Sequence, residues 1–129
     1  MFKYLVLFLF GGTLYMGVET WYDNTSHRSM GLVGGISFIV CGELFVLSNL
    51  SQDIRNPLYW LICLVMAVII TALEYIAGNI WNKNYTIWDY RKMKFNIKGQ
   101  ICLTFFLIWW LGISHLIIYL YPLISKVVT

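Results

Sequence analysis

The chain has 129 residues, of which 60% are hydrophobic and 12% charged, and its formal net charge is +3; the mean hydropathy is +0.72. Soluble domains are about 45–50% apolar and about 25% charged, so too few charges are present to coat a water-facing surface. These proportions exclude a soluble enzyme, a disordered tail and a nucleic-acid reader, and they place the chain in a membrane, with the lipid bilayer as its first partner.

Crossing the roughly 30 Å hydrocarbon core takes about 20 apolar residues, and four stretches qualify: 2–18, 31–50, 58–80 and 101–121. The apolar runs do not alternate at period two, and only helices or closed barrels satisfy their own backbone in lipid. The expected fold is therefore all-α: a polytopic membrane protein, a bundle of four transmembrane helices forming a single domain over 1–129. Segments 19–30, 51–57 and 81–100 hold most of the Asp, Asn, Lys and Arg and are the expected loops.

Lys3 before the apolar run 4–10 resembles the start of a secretory signal. However, the run continues to Val18 without a small-x-small cleavage site and ends in Glu19 and Trp21, so a helix is expected. In the second stretch Gly31, Gly34, Gly35 and Gly42 give small faces suited to close helix contact. Gly31 to Gly35 is not a phosphate loop, because no Lys-Ser/Thr follows it. With no Walker motif anywhere in the chain, nucleotide-driven transport would need another subunit to hydrolyse the nucleotide. Cys41, Cys63 and Cys102 fall inside apolar stretches without metal-ligand spacing and read as small packing residues. The Asn-x-Ser/Thr matches at Asn24, Asn49 and Asn84 lie on both sides of the membrane and are taken as chance.

Orientation follows from the Lys and Arg count on each side. Lys3, Arg55 and Lys126 share one side; Arg28, Lys83, Arg91, Lys92, Lys94 and Lys98 share the other. The excess assigns segments 19–30 and 81–100 to the cytoplasm and both termini to the outside. Trp21, Tyr22, Tyr59, Trp60, Trp81, Trp88 and Tyr121 at segment ends read as an interfacial aromatic belt.

An ionisable group within lipid costs several kcal/mol unless paired or hydrated, which makes each one a functional candidate. Glu74 lies about 9 Å inside the end of the third helix, at 1.5 Å per residue, and Glu19 closes the first helix on that side. The two acids are expected to meet beside Arg28, Asp89, Arg91 and Lys98 in a polar pocket at the basic face. Thr71, Glu74 and Gly78 share one helical stripe; a structural ion pair between Glu74 and an Arg is the competing reading. Glu43 and His115 lie deeper, about 18 and 21 Å from the basic face, and form a possible intramembrane pair. One Glu and one His do not make a metal site, and the nucleophile that an esterase would need is not evident.

The run Glu74-Tyr75-Ile76-Ala77-Gly78, then Trp88-Asp89-Tyr90, then Asn96-Ile97-Lys98-Gly99-Gln100-Ile101-Cys102-Leu103, then Trp109 or Trp110, resembles the signature of the putative ABC-transporter type IV permease family, the CmpB-like integral membrane proteins. There an E-x-x-x-G helix end is followed by W-D-Y and by N-x-x-G opening a helix that carries a tryptophan. Glu19 and His27-Arg28-Ser29 resemble the family's amino-terminal half, while Gly31-Leu32-Val33-Gly34-Gly35 stands where a Y-G-P segment is associated with the family. The resemblance implies a permease component of a transport system; it implies no catalytic residue and no particular substrate. The residues themselves suggest that Asn96 caps the fourth helix, that Trp88 and Tyr90 lie at the interface, and that Asp89 turns to Arg91 or Arg28.

The leading functional expectation is a permease-like protein of the bacterial plasma membrane. It would bind a small polar or amphiphilic molecule through Glu19, Arg28, Glu74, Asp89 and Arg91, as a homo-oligomer or beside a partner membrane subunit. Alternatives are a membrane-embedded enzyme acting on lipid headgroups, with the two carboxylates as acid and base, and a small structural or regulatory subunit. No cofactor is identified.

Overall fold

The computed structural model describes residues 2–23 and 28–128, with the backbone only for Glu19, Tyr22, Asp23, Arg28 and Ser29. Apolar runs that satisfy their own backbone become four helices: α1 (Phe2–Asp23), α2 (Arg28–Ser48), α3 (Pro57–Trp81) and α4 (Leu103–Val127). The spans Met30–Ser48, Pro57–Trp81 and Leu103–Val127 are long and apolar enough to cross a membrane, and Phe2–Val18 is a shorter apolar helix. The protein is an all-helical membrane bundle. Among the described residues extended pairing is limited to one bridge, between Ile97 and Ile101.

Local chemistry sets the ends of α3. The Asn56 side chain accepts from the Leu58 N–H at 3.0 Å and Pro57 occupies the first turn, where a missing N–H is harmless. α1 runs beyond the apolar stretch to Asp23, because α-helix continues into polar sequence wherever no Gly or Pro stops it. α4 begins at Leu103 and passes through Pro122 to Val127 instead of ending at Tyr121. Pro122 has no N–H to give the Ile118 carbonyl, and the Gln52 side-chain amide donates to that oxygen at 2.9 Å.

α1 packs most extensively on α2; α2 also touches α3 and α4, and α3 packs along α4. The glycine faces bring α1 and α2 together: a Cβ on Gly11 would strike Phe38, and one on Gly34 would strike Tyr15. The core gathers Leu7, Tyr15, Phe38, Cys41, Met66, Ile70, Trp109, Ile118 and Tyr121. Cys41, Cys63 and Cys102 are free thiols, all buried. The aromatic belt is smaller than expected. Trp21 and Trp81 are exposed, whereas Tyr59 and Tyr121 are buried inside the bundle, where their rings fill volume between helices, and Trp88 is buried within the loop that follows α3.

Between Phe105 and Ile118 the buried positions of α4 run Phe105, Trp109, Ser114, Ile117 and Ile118. The jump of five occurs at a π-helical turn, Trp109–Ile113, closed by the Ser114 N–H on the Trp109 carbonyl. One extra residue in the turn re-phases the apolar stripe, so that both halves of α4 face the core.

Candidate functional site

The segment that joins α3 to α4 is a folded cap built on one side chain. Asn82 follows the last turn of α3, is fully buried, and its N–H bonds to the Gly78 carbonyl at 2.9 Å. Its Nδ2 donates to the Trp88 carbonyl at 2.6 Å and to Gln100 Oε1 at 2.9 Å. Its Oδ1 accepts from the N–H groups of Ile87 at 2.9 Å and Trp88 at 3.2 Å. Gln100 donates back to the Asn82 carbonyl at 3.0 Å, and Trp88 Nε1 donates to the Gln100 carbonyl at 2.8 Å. Gly78 is the gap that admits Gln100, since a Cβ there would overlap the Gln100 amide. Sequence reasoning did not single out Asn82 for this role, because its partners Trp88 and Gln100 lie 6 and 18 residues away.

Along the loop the side chains alternate. Trp88 and Tyr90 are buried while Asp89 and Arg91 face out, so the W-D-Y tryptophan and tyrosine are packing residues and not interfacial anchors. Arg91 holds Asp89 with a fork, Nε to Oδ1 at 2.9 Å and Nη2 to Oδ2 at 2.7 Å. That guanidinium, helped by the Arg91 N–H, holds the Asp89 carboxyl down at about 2, and the carboxylate raises Arg91 in return. Arg91 also lies 4.2 Å from the centre of the Tyr85 ring, a cation–π distance. Asn96 does not cap α4: its Oδ1 accepts from the Gly99 N–H at 2.9 Å and its amide reaches the Met93 carbonyl at 2.8 Å. It closes a turn in which Gly99 takes φ +67°, a conformation that glycine adopts freely. Cys102, in extended conformation, stands at the start of α4.

Glu74 lies deeper, 2% exposed, and its Oε1 accepts from the indole N–H of Trp109, the first residue of the π turn. Aromatic contacts continue from there: Tyr15 stacks on Trp109 with centroids 5.3 Å apart, Phe105 lies 6.0 Å from Trp109, and Tyr90 stacks on Phe105 at 4.9 Å. A chain of rings thus runs from the Glu74 carboxylate to the W-D-Y loop.

Of the expected ligand-binding set, the structure brings Asp89 and Arg91 together on the outer face of the loop and puts Glu74 in the core beside Trp109. The side chains of Glu19 and Arg28, and all of His27, lie outside the described residues, and so does the expected meeting of Glu19 with Glu74. Glu43 and His115 each bond a tyrosine: Tyr4 Oη donates to Glu43 Oε1 at 2.9 Å, and Tyr59 Oη lies 2.8 Å from His115 Nδ1. Neither tyrosine was singled out as a partner, because the pairs span 39 and 56 residues. The cavity at the centre of the four helices, lined by Gly11, Tyr15, Ser37, Ile70 and Trp109 among others, holds about 20 Å³, room for a water molecule. Among the described residues no group of three His, Cys, Asp or Glu side chains is placed to hold a metal ion.

Such a bundle, with a carboxylate inside the membrane and a folded basic loop over one end, is a polytopic helical membrane protein. Residues 4–129 match the family described as putative ABC-transporter type IV, the CmpB family, and the chain belongs to it. No curated protein and no solved structure matches it.

Proposed function

We propose that the protein is a permease-type component of a transport system in the bacterial plasma membrane, binding a small polar or amphiphilic molecule at its basic, cytoplasmic face. The observation that carries this reading is Glu74, a buried carboxylate within an apolar span, held by the indole of a π-helical turn. Intramembrane carboxylates mark ligand and ion pathways, and π turns recur at functional sites. A ligand that offers a cationic or hydrogen-bond-donating group replaces the Trp109 indole at Glu74. Asp89 and Arg91 on the loop, with Glu19 and Arg28 by their place in the sequence, complete the proposed binding set. A central space the size of a water molecule supports action as a homo-oligomer or beside a partner membrane subunit, with any nucleotide hydrolysed elsewhere.

A second reading is favoured by one observation: Glu74 borders none of the larger hollows of the surface, as a purely structural latch would. Glu74→Gln separates the two, since the amide oxygen still accepts from Trp109. On the permease reading the variant accumulates like wild type and melts within about 3 °C of it. Metabolites that raise the melting temperature of the wild-type protein in detergent then bind at least about tenfold more weakly, for loss of a charge-assisted bond. Loss of accumulation, or unchanged binding, favours the latch.

A further inference from the structure

We infer that the groove between α3 and α4 beneath the loop is a binding site for an anionic phospholipid, with an acyl chain in the groove and the phosphodiester on the lysines of the loop. Two adjoining open hollows of about 330 and 370 Å³ share Thr71, Ile97, Ile101 and Phe106. On α3 the lining residues Val68, Thr71, Ala72 and Tyr75 form one stripe, i, i+3, i+4 and i+7, which runs about 10 Å into the apolar span. The lining is almost wholly apolar and faces the hydrocarbon, so it suits a hydrocarbon chain.

The roof of the groove is charged. Lys92, Lys94 and Lys98 are exposed; among the described residues the loop's ion pair is Arg91 with Asp89, and Lys92 shares that one carboxylate at longer range, so the loop presents a net positive charge to the headgroup region. Two of them flank the groove residues Phe95 and Ile97 directly in sequence. Phe95 and Lys98 are held at φ +56° and +53°, unusual for residues with a side chain, and Phe95 is 77% exposed. The loop thus presents an aromatic ring and lysines side by side at the mouth of an apolar groove, the arrangement that an anionic amphiphile satisfies at both ends. Charge also argues against a second copy of the chain here, since two such loops would repel. This site is separate from Glu74, and its test does not depend on transport.

Native mass spectrometry of the detergent-purified protein, titrated with phosphatidylglycerol and with phosphatidylcholine of the same chains, reads the site. One phosphatidylglycerol is expected to be retained at least tenfold more strongly than phosphatidylcholine. Replacing Lys92, Lys94 and Lys98 together by Gln removes that preference; each lysine is worth about fivefold at low salt, and the preference shrinks as salt rises. Ala72→Trp, which fills the groove from a lipid-facing position, lowers retention of both lipids while the loop charge is intact. Equal retention of the two lipids by the wild-type protein, or a preference that survives the triple substitution, overturns the proposal. So does disulfide-linked dimerisation of Ala72→Cys in native membranes, which would assign the groove to a second copy.

Discussion

The two donors and two acceptor positions of the Asn82 amide, the full capacity of that group, are all used on loop atoms 5 to 18 residues away. Removing it strands the buried Trp88 backbone and Gln100 amide, and each buried unsatisfied group costs about 1–3 kcal/mol. Asn82→Ala is therefore expected to lower stability by about 3 kcal/mol in reversible denaturant unfolding in micelles. Lys83→Ala, one residue on and exposed, should stay within about 0.5 kcal/mol. At this scale the sequence identified the carboxylates and offered Arg91 to Asp89, but it missed Tyr4 for Glu43 and Trp109 for Glu74. Glu74 stands out as an acid in an apolar run, but nothing local says that Trp109, 35 residues on, meets it.

The two halves of α4 obey one rule at different phases. Up to Trp109 the buried residues follow ordinary helical spacing; beyond the π turn they follow it again, displaced by one. A reading by 3.6-residue periodicity finds such a helix but not its re-phasing, because Gly112 and Ile113 are as apolar as the residues they displace. The carboxyl-terminal end was hidden for a similar reason. Pro122 normally ends a helix, and its tolerance here depends on Gln52, 66 residues earlier than the Ile118 carbonyl. Gln52→Ala should cost about 1–2 kcal/mol, the worth of an unpaired carbonyl. On a Pro122→Ala background, where residue 122 regains an N–H for Ile118, the same change should cost much less. Additive effects in this double-mutant cycle would show that Gln52 does not stand in for the missing donor. By contrast, α3 was legible almost to the residue, since its apolar run, Asn56 cap and Pro57 all act locally.

Across the whole molecule, the apolar spans made the bundle legible, while the loop over its basic end was visible only as a polar stretch. Its closure depends on Asn82 and Gln100 meeting across 18 residues, and on Trp88 and Tyr90 leaving the interface for the core. Around Glu74 the described residues include the Trp109 indole, with Tyr15 and Phe105 packed on that ring. Lys and Arg are concentrated at that end, and the other end carries the exposed pair Arg55–Asp53, 3.1 Å apart. Which end meets the cytosol is a matter of sidedness, and the packing of the thiols makes it measurable.

Cys41, Cys63 and Cys102 are each 4% exposed or less, so the native chain is shielded from a bulky, membrane-impermeant maleimide without any cysteine being removed. A single reporter thiol can therefore be introduced at Lys94, on the surface of the loop, and read against a silent background. If the Lys and Arg count orients the chain correctly, Lys94→Cys is tagged only after intact cells are permeabilised, and a reporter at Arg55 is tagged before. The reverse pattern would turn the protein over in its bilayer.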